Sequence, residues 1–403
     1  MALITGIFVL LVTAHVFGHL SSRVGLPKIA GHMLAGIVIG PSIAGWVEPL
    51  PGLGAVSDIA VLFIVLTAGL EMRMQHVVEV FRGRGVGALL IGFFVPLATA
   101  AAIALAFSLA PIPATVVALC MAVTALPVAL QILSGFQLLG SQLARVAISG
   151  ALLADIIVFI VLGLLIELSL SEQETTWVSS ISLAAAKLLG LIAAIVLSHH
   201  VCLRVVKRNR SRQELSIGES TAKLTFVLLF VLGLGALSEA LGFHFAIGAF
   251  FAAMMISAEL IGERPFERLE GTCEVLTASL FGPLFMAYQG MQFQLESLSH
   301  PGFAAALLIG SIASKLIGGY MVGRLQRMDA HEAWGVGIVM NAHGVMELVV
   351  AAIALNAGLI DRGLFSTLLA VGMTTTVLTP VMLKRWHVHS RLVADVGESP
   401  SSN

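Results

Sequence analysis

Long apolar stretches follow one another along almost the entire chain, and the charged residues gather in the short segments between them. A helix needs about 20 apolar residues, rising 1.5 Å each, to cross the hydrocarbon core of a bilayer. Counting the stretches predicts about thirteen helices, near 2–20, 28–46, 55–71, 85–109, 113–134, 140–168, 177–204, 219–237, 243–260, 270–290, 302–324, 331–357 and 363–385. No stretch reads as a soluble domain. Residues 1–403 are therefore expected to form a single transmembrane unit, an all-α polytopic membrane protein.

Two of the stretches carry an ionisable residue far from other charges. Asp155 lies in Ile148–Leu168, with eleven uncharged residues separating it from Glu167, and Lys315 is alone in Gly302–Gly323. An Asp or Lys near the middle of a spanning helix costs about 2.5–3.5 kcal/mol. Such a group is tolerated when it lines a polar cavity or meets a partner, so the pair marks an ion or proton pathway.

Composition agrees with the pattern. Of 403 residues, 58% are hydrophobic and 11% charged, against about 25% charged in soluble domains; mean hydropathy is +0.99. The 40 glycines suit closely packed helices, with Gly36–Gly40 and Gly319–Gly323 at the spacing that lets helices touch. Cys120, Cys202 and Cys273 lie in or beside apolar segments and read as packing residues. His331-Glu332 lacks the second histidine of a zinc-protease helix, and no phosphate-binding loop is present. No enzymatic activity, resident metal, cofactor or nucleic-acid partner is expected.

Basic residues alternate between loops. One side collects Arg23 and Lys28; Arg73, Arg82 and Arg84; Arg204, Lys207, Arg208, Arg210 and Arg212; Arg264 and Arg268; Arg324 and Arg327; and Lys384, Arg385 and Arg391 of the tail. The other side holds Arg362, Glu172 and Glu174. Positive residues stay cytoplasmic, which places the C-terminus inside and the N-terminus outside. Met1–Leu20 has no basic residue ahead of its apolar run and reads as an uncleaved first span. The Arg204–Arg212 loop is a topology determinant first and a contact for anionic lipid second.

An odd number of spans permits two halves that enter the membrane from opposite sides, 1–168 and 219–385, joined by a linker helix at 177–206. Each half holds one interruption at mid-span: Thr124-Ala125-Leu126-Pro127 in the first, Asn341-Ala342-His343-Gly344 in the second. Pro127 and Gly344 break the helices, and unwound backbone in a membrane is stable only beside a cavity or inside protein. The two interruptions therefore point to a transport site.

Several motifs, in order, resemble one family. They are Leu26-Pro27, Leu34-Ala35-Gly36 and Gly40-Pro41-Ser42; Phe63 with Gly69-Leu70-Glu71; Thr124 to Val128; His244-Phe245 with Gly248-Ala249-Phe250; Pro283-Leu284-Phe285; and Met340 to Val349, MNAHGVMELV. Together they resemble the monovalent cation:proton antiporter superfamily, in its bacterial and plant cation/proton exchanger-like branch. The resemblance implies an antiporter-like fold of two inverted six-helix repeats with two broken crossing helices. It implies a core, 85–168 plus 302–385, that moves against a dimerisation unit, 1–71 plus 219–290, in a homodimer. The expected activity is exchange of H⁺ for Na⁺ or K⁺ across a bacterial inner membrane by alternating access.

By the same resemblance Asp155 binds proton and cation in turn, Lys315 balances charge, and Thr124 and Asn341 supply oxygens, joined by freed backbone carbonyls and water. His343 and Glu347 handle protons or support the broken helix. Gln131 and Gln289 line the cavity or bond between helices, while His15, His19 and His32 are structural or interface groups. Two positions depart from the family pattern: Ala154 stands where Asp or Asn is usual, and His343 where Arg or Lys is usual. They prompt two alternative readings, a proton-coupled exporter of an organic ion or metabolite on the same fold, and a degenerate, non-transporting sensor or channel-like protein.

Overall fold

Prolines and glycines decide where these apolar stretches become helix. In a computed structural model, which describes residues 3–72, 85–170, 177–209, 219–295 and 301–397, every regular element among the described residues is helical. The helices are α1 (Leu3–Arg23), α2 (Lys28–Ile39), α3 (Pro51–Glu71), α4 (Val86–Ala106), α5 (Pro111–Ala122), α6 (Leu126–Gly135), α7 (Gln142–Leu170), α8 (Trp177–Asn209), α9 (Glu219–Ala240) and α10 (Phe245–Met255). After them come α11 (Ala258–Ile261), α12 (Glu263–Leu276), α13 (Gly282–Met291), α14 (Pro301–Leu325), α15 (Ala330–Met340), α16 (Val345–Asn356) and α17 (Arg362–Gly397). Proline occupies the first turn of α3, α5, α6 and α13, where its missing N–H has no intrahelical acceptor to serve.

Eight of the described helices are long and apolar enough to cross a membrane, and a ninth span arises if α15 and α16, bent by 41° at their junction, are taken as one. The protein is an integral, multi-pass membrane protein. Several boundaries differ from expectation. The segment expected at 28–46 stops at Ile39, because Gly40-Pro41 turns the chain, with the Gly40 N–H returning to the Gly36 carbonyl at 2.9 Å. The 243–260 segment stops at Met255, where Ile256 is extended, and resumes only as the short α11. The 270–290 segment begins earlier, at Glu263, and passes through a π-helical turn at Thr277–Phe281. The last helix runs on to Gly397. The basic residues Arg73, Arg82 and Arg84, with Arg210 and Arg212, and Glu172 and Glu174 lie outside the described residues.

Helix α14 packs along α4 and α15, while α7 touches α5, α6, α15 and α16. Elsewhere α2 lies between α1 and α13, α3 packs on α10, and α9 on α10. The long α8 leans on α7 and α10. Lipid-like exposure of apolar side chains on α1, α8 and α9 (Ile4, Phe8, Leu189, Leu197, Leu229) fits surfaces that face acyl chains.

Two contacts depend on missing side chains. A Cβ on Gly36 would run into the Ala287 backbone carbonyl, and one on Gly290 into the Met33 carbonyl, so α2 and α13 touch backbone to backbone. Gly319 meets Gly337 in the same way between α14 and α15. Such approach suits a medium in which helix association relies on packing rather than on the hydrophobic effect. Gly36→Val is expected to destabilise the protein by about 1–3 kcal/mol through overpacking. Gly190→Ala, with nothing within 4 Å of its new Cβ, is expected to leave stability unchanged or slightly raised. Thermal unfolding of both variants in detergent checks the contrast.

Candidate functional site

The two interrupted stretches meet. Between α5 and α6 the chain leaves the helix at Val123 and re-enters at Leu126; between α15 and α16 it does so from Asn341 to Gly344. The Ala125 N–H donates to the Ala342 carbonyl at 2.8 Å, and the Thr124 hydroxyl to the Met340 carbonyl at 3.0 Å. Each break thus supplies part of what the other has lost. Helix α17 brings two hydroxyls to the second break, each with one proton shared between two acceptors: Thr376 lies 2.8 Å from the His343 carbonyl and 2.7 Å from that of Gly372, and Thr379 3.1 Å from the Asn341 carbonyl and 2.8 Å from that of Thr375. The His343 ring donates from Nδ1 to that same Asn341 carbonyl at 3.0 Å.

Lys315 completes the arrangement. It is 1% exposed, and its ammonium donates to the Ala122 carbonyl at 2.9 Å, to the Val123 carbonyl, and to the Thr124 hydroxyl at 2.9 Å. An ammonium has three N–H donors, and all are engaged here. Ala122 and Val123 are the last residue and the C-cap of α5, so Lys315 places a positive charge at the negative end of a helix and satisfies its orphan carbonyls.

Asp155 is 1% exposed, and neither carboxylate oxygen has a hydrogen-bond partner among the described residues. No nitrogen of Lys315 comes within 4 Å of it, and no ion pair joins the two. Lys315 and Asp155 still influence each other through space, as do Lys315 and Glu347. Glu347 is fully buried in the first turn of α16, again with both oxygens unpartnered among the described residues.

Of the residues proposed from sequence, Thr124, Lys315, Asn341 and His343 lie in one hydrogen-bonded network, while Asp155 and Glu347 are joined to it by charge. Thr124 is committed on both sides, donating to one carbonyl and accepting from Lys315. Asn341 donates weakly to the Thr379 hydroxyl at 3.4 Å and keeps its side-chain oxygen unpartnered. Gly344 adopts an extended conformation as N-cap of α16. Pro127 lies in the first turn of α6, but its side chain and that of Gln131 lie outside the described residues. Gln289 approaches the Ser57 hydroxyl at 3.5 Å. His15 and His32 face each other with ring centroids 6.2 Å apart, in α1 and α2 away from this network. Several carbonyls at the breaks accept from protein donors, each with a second lone pair remaining. Asp155, Glu347 and the Asn341 side chain hold the site's open oxygens.

Sequence reasoning overlooked three features. Thr376 and Thr379 of α17 reach the second break, and a run of threonines in an apolar span was an available signal. The ion pair of buried Glu167 with Lys187, at 2.5 Å, ties α7 to α8. A cavity of about 530 Å³ opens between α3, the α9–α10 turn, α13 and α16, lined among others by Asp58, Glu239, His244, Tyr288, Gln289 and Asn356. Nothing in their spacing announces that these residues converge.

Comparison with known proteins agrees with this architecture. The family described as "Sodium/hydrogen exchanger, transmembrane" matches residues 7–388. A Na(+)/H(+) antiporter of Enterococcus hirae is 26% identical over 385 residues, covering 94% of this chain and 97% of that protein. The Na(+)/H(+)-K(+) antiporter GerN of Bacillus cereus is 26% identical over 379 residues, 94% of each. Among solved structures, the sodium proton antiporter MjNhaP1 from Methanocaldococcus jannaschii superposes with a TM-score of 0.71 at 16% identity, over 95% of this chain and 97% of that one.

The Lys315 network carries a stability prediction of its own. Lys315→Met leaves two carbonyls and a hydroxyl without their donor in a buried setting, and is expected to cost about 3–5 kcal/mol. Thr379→Val removes one donor and is expected to cost about 1 kcal/mol. Thermal unfolding in detergent ranks the two.

Proposed function

We infer that this chain, which belongs to the transmembrane sodium/hydrogen exchanger family, is a secondary transporter that exchanges protons for a monovalent cation, Na⁺ or K⁺, through Asp155. The observation that carries the assignment is a fully buried carboxylate whose two oxygens have no partner among the described residues, together with a lysine whose donors are all engaged elsewhere. With no donor among the described residues to satisfy it, such a carboxylate takes a proton or a metal cation from outside. The two compete for the same oxygens, and competition at one site reached alternately from each side is what couples their fluxes.

The remaining ligands come from Asn341 and water. The polar cavity lined by Asp58, Glu239 and Tyr288 serves as the entrance from the extracytoplasmic side. In this reading thirteen spans form two inverted repeats, 1–168 and 219–385, with the N-terminus outside. The core, 85–168 plus 302–385, moves against the dimerisation unit, 1–71 plus 219–290, in a homodimer of a bacterial inner membrane. The packing of α14 on α4 and α15, and of α7 on both broken helices, supports treating those helices as one moving body.

One carboxylate that holds either one proton or one cation gives an electroneutral exchange of one for one, provided Lys315 keeps its proton throughout. In proteoliposomes loaded with a pH dye, an imposed Na⁺ or K⁺ gradient is expected to drive proton flux in the native protein and none in Asp155→Asn. No sustained current should accompany it. Flux that survives Asp155→Asn would remove Asp155 from the mechanism; an Asp155-dependent current would overturn the stoichiometry.

A further inference from the structure

The last turn of α7 carries a charge that the exchange cycle just described leaves unused. Glu167 is 3% exposed and accepts a hydrogen bond from the ammonium of Lys187, on α8, at 2.5 Å. A third element closes on the pair. Gly242, in the turn between α9 and α10, has φ +90°. A Cβ there would run into a Glu167 carboxylate oxygen and lie 3.5 Å from the Lys187 nitrogen. One ion pair thus joins α7 and α8 and is seated against the α9–α10 turn.

The turn is tied to itself. The Gly242 N–H donates to the Glu239 carbonyl at 2.9 Å, the Phe243 N–H to the Ser238 carbonyl at 2.9 Å, and the Ser238 hydroxyl to the His244 carbonyl at 3.0 Å. Glu239 and His244 line the cavity of about 530 Å³, so a displacement of Gly242 carries two walls of that cavity with it. Next to the ion pair the packing is loose. An apolar cavity of about 190 Å³ separates the same elements, lined among others by Phe159 and Gly163 of α7, Leu188 and Leu191 of α8, and Phe243 and Ile247. Gly163 is one turn from Glu167, Leu188 follows Lys187, and Phe243 follows Gly242, so the gap adjoins the pair. Across a gap dispersion attraction is forfeited, which leaves more of the hold between these elements to the polar tie.

We propose that Glu167 is a positioning residue for exchange: bonded to Lys187 and seated against Gly242, it holds α7 to α8 and the α9–α10 turn in the arrangement whose outer entrance is open. The proposal rests on the reading in which 85–168 moves against 219–290. In that reading the contact crosses the moving boundary, so it is made and broken in each cycle and biases the protein toward its outward-open form.

The consequence differs between the two faces. The cation concentration for half-saturation at one face rises as the fraction of protein open to that face falls. From a population about 90% outward-open, a shift of about tenfold toward the inward form lies within the range of coupled elements. It is expected to raise half-saturating Na⁺ or K⁺ at the outer face about twofold and to lower it at the inner face about fivefold. Glu167→Gln and Lys187→Gln weaken one bond from opposite helices, so each is expected to give this split, and the double variant no more than the larger single effect. A residue needed only for folding would lower the active fraction and leave both values in place.

The experiment is dye-monitored exchange by the full-length protein in proteoliposomes of determined orientation, with Na⁺ and K⁺ titrated on each face in turn at fixed pH, after gel filtration of each variant. Half-saturation that stays native in Glu167→Gln, moves the same way at both faces, or splits in the reverse sense overturns the proposal. So does a double variant whose shift is the sum of the two singles. If a single variant does not fold, the double variant, which leaves neither charge unpaired, decides by the same split. Native exchange with unaltered variants dismisses Glu167 alone; native protein without exchange dismisses the underlying reading as well.

Discussion

The bond set of one lysine holds this site together. By giving its three protons to the end of α5 and to Thr124, Lys315 makes an interrupted helix stable within a membrane. Hydrocarbon offers no substitute donor, and each abandoned carbonyl would cost several kcal/mol. The lysine gains equally, since a desolvated ammonium needs acceptors on all sides. Because the donors are used up on backbone and hydroxyl, no direct bond to a carboxylate is left, and Asp155 stays open. The same interaction that secures the fold thus leaves the acid unsatisfied.

The two breaks reinforce this separation of tasks. Ala125 and Thr124 donate across to α15 and its cap, while Thr376 and Thr379 donate from α17 to the second break. Much of the unwound backbone therefore finds partners within the protein. Cation recognition in the proposed mechanism falls to side-chain oxygens, with water completing the shell that a hard cation requires. A site built this way has a fixed frame and few fixed ligands. That suits a carrier, which must release what it binds.

Much of this was legible in the sequence, and the physical reasons divide it. Spanning helices announce themselves through length and hydropathy, since a bilayer imposes both. Asp155 and Lys315 stood out because charge is rare at that depth, and the broken stretches because Thr, Asn, Pro and Gly interrupt apolar runs. Boundaries such as Ile39 and Met255 were missed where a glycine–proline turn or an extended residue ends a helix inside an apolar run. The acceptors of Lys315 were hidden for a different reason. Opposite charges suggest a salt bridge, yet the nearest acceptors are backbone carbonyls, which every residue carries and no sequence pattern displays. The Glu167–Lys187 tie and the polar cavity were hidden because their residues come from distant helices with no shared periodicity.

The placement of the three buried charges argues for the role proposed for Asp155. Lys315 lies against the C-terminal end of α5, and Glu347 occupies the first turn of α16, so each meets a helix end of opposite sign. Asp155 lies in the interior of α7, a helix of 29 residues, where its own backbone offers no free N–H. Fixed compensation is therefore available to the first two and withheld from the third. A charge that the fold itself compensates contributes to architecture, whereas one left uncompensated must be neutralised by something that arrives. On that ground Asp155 is the group through which a proton and a cation compete.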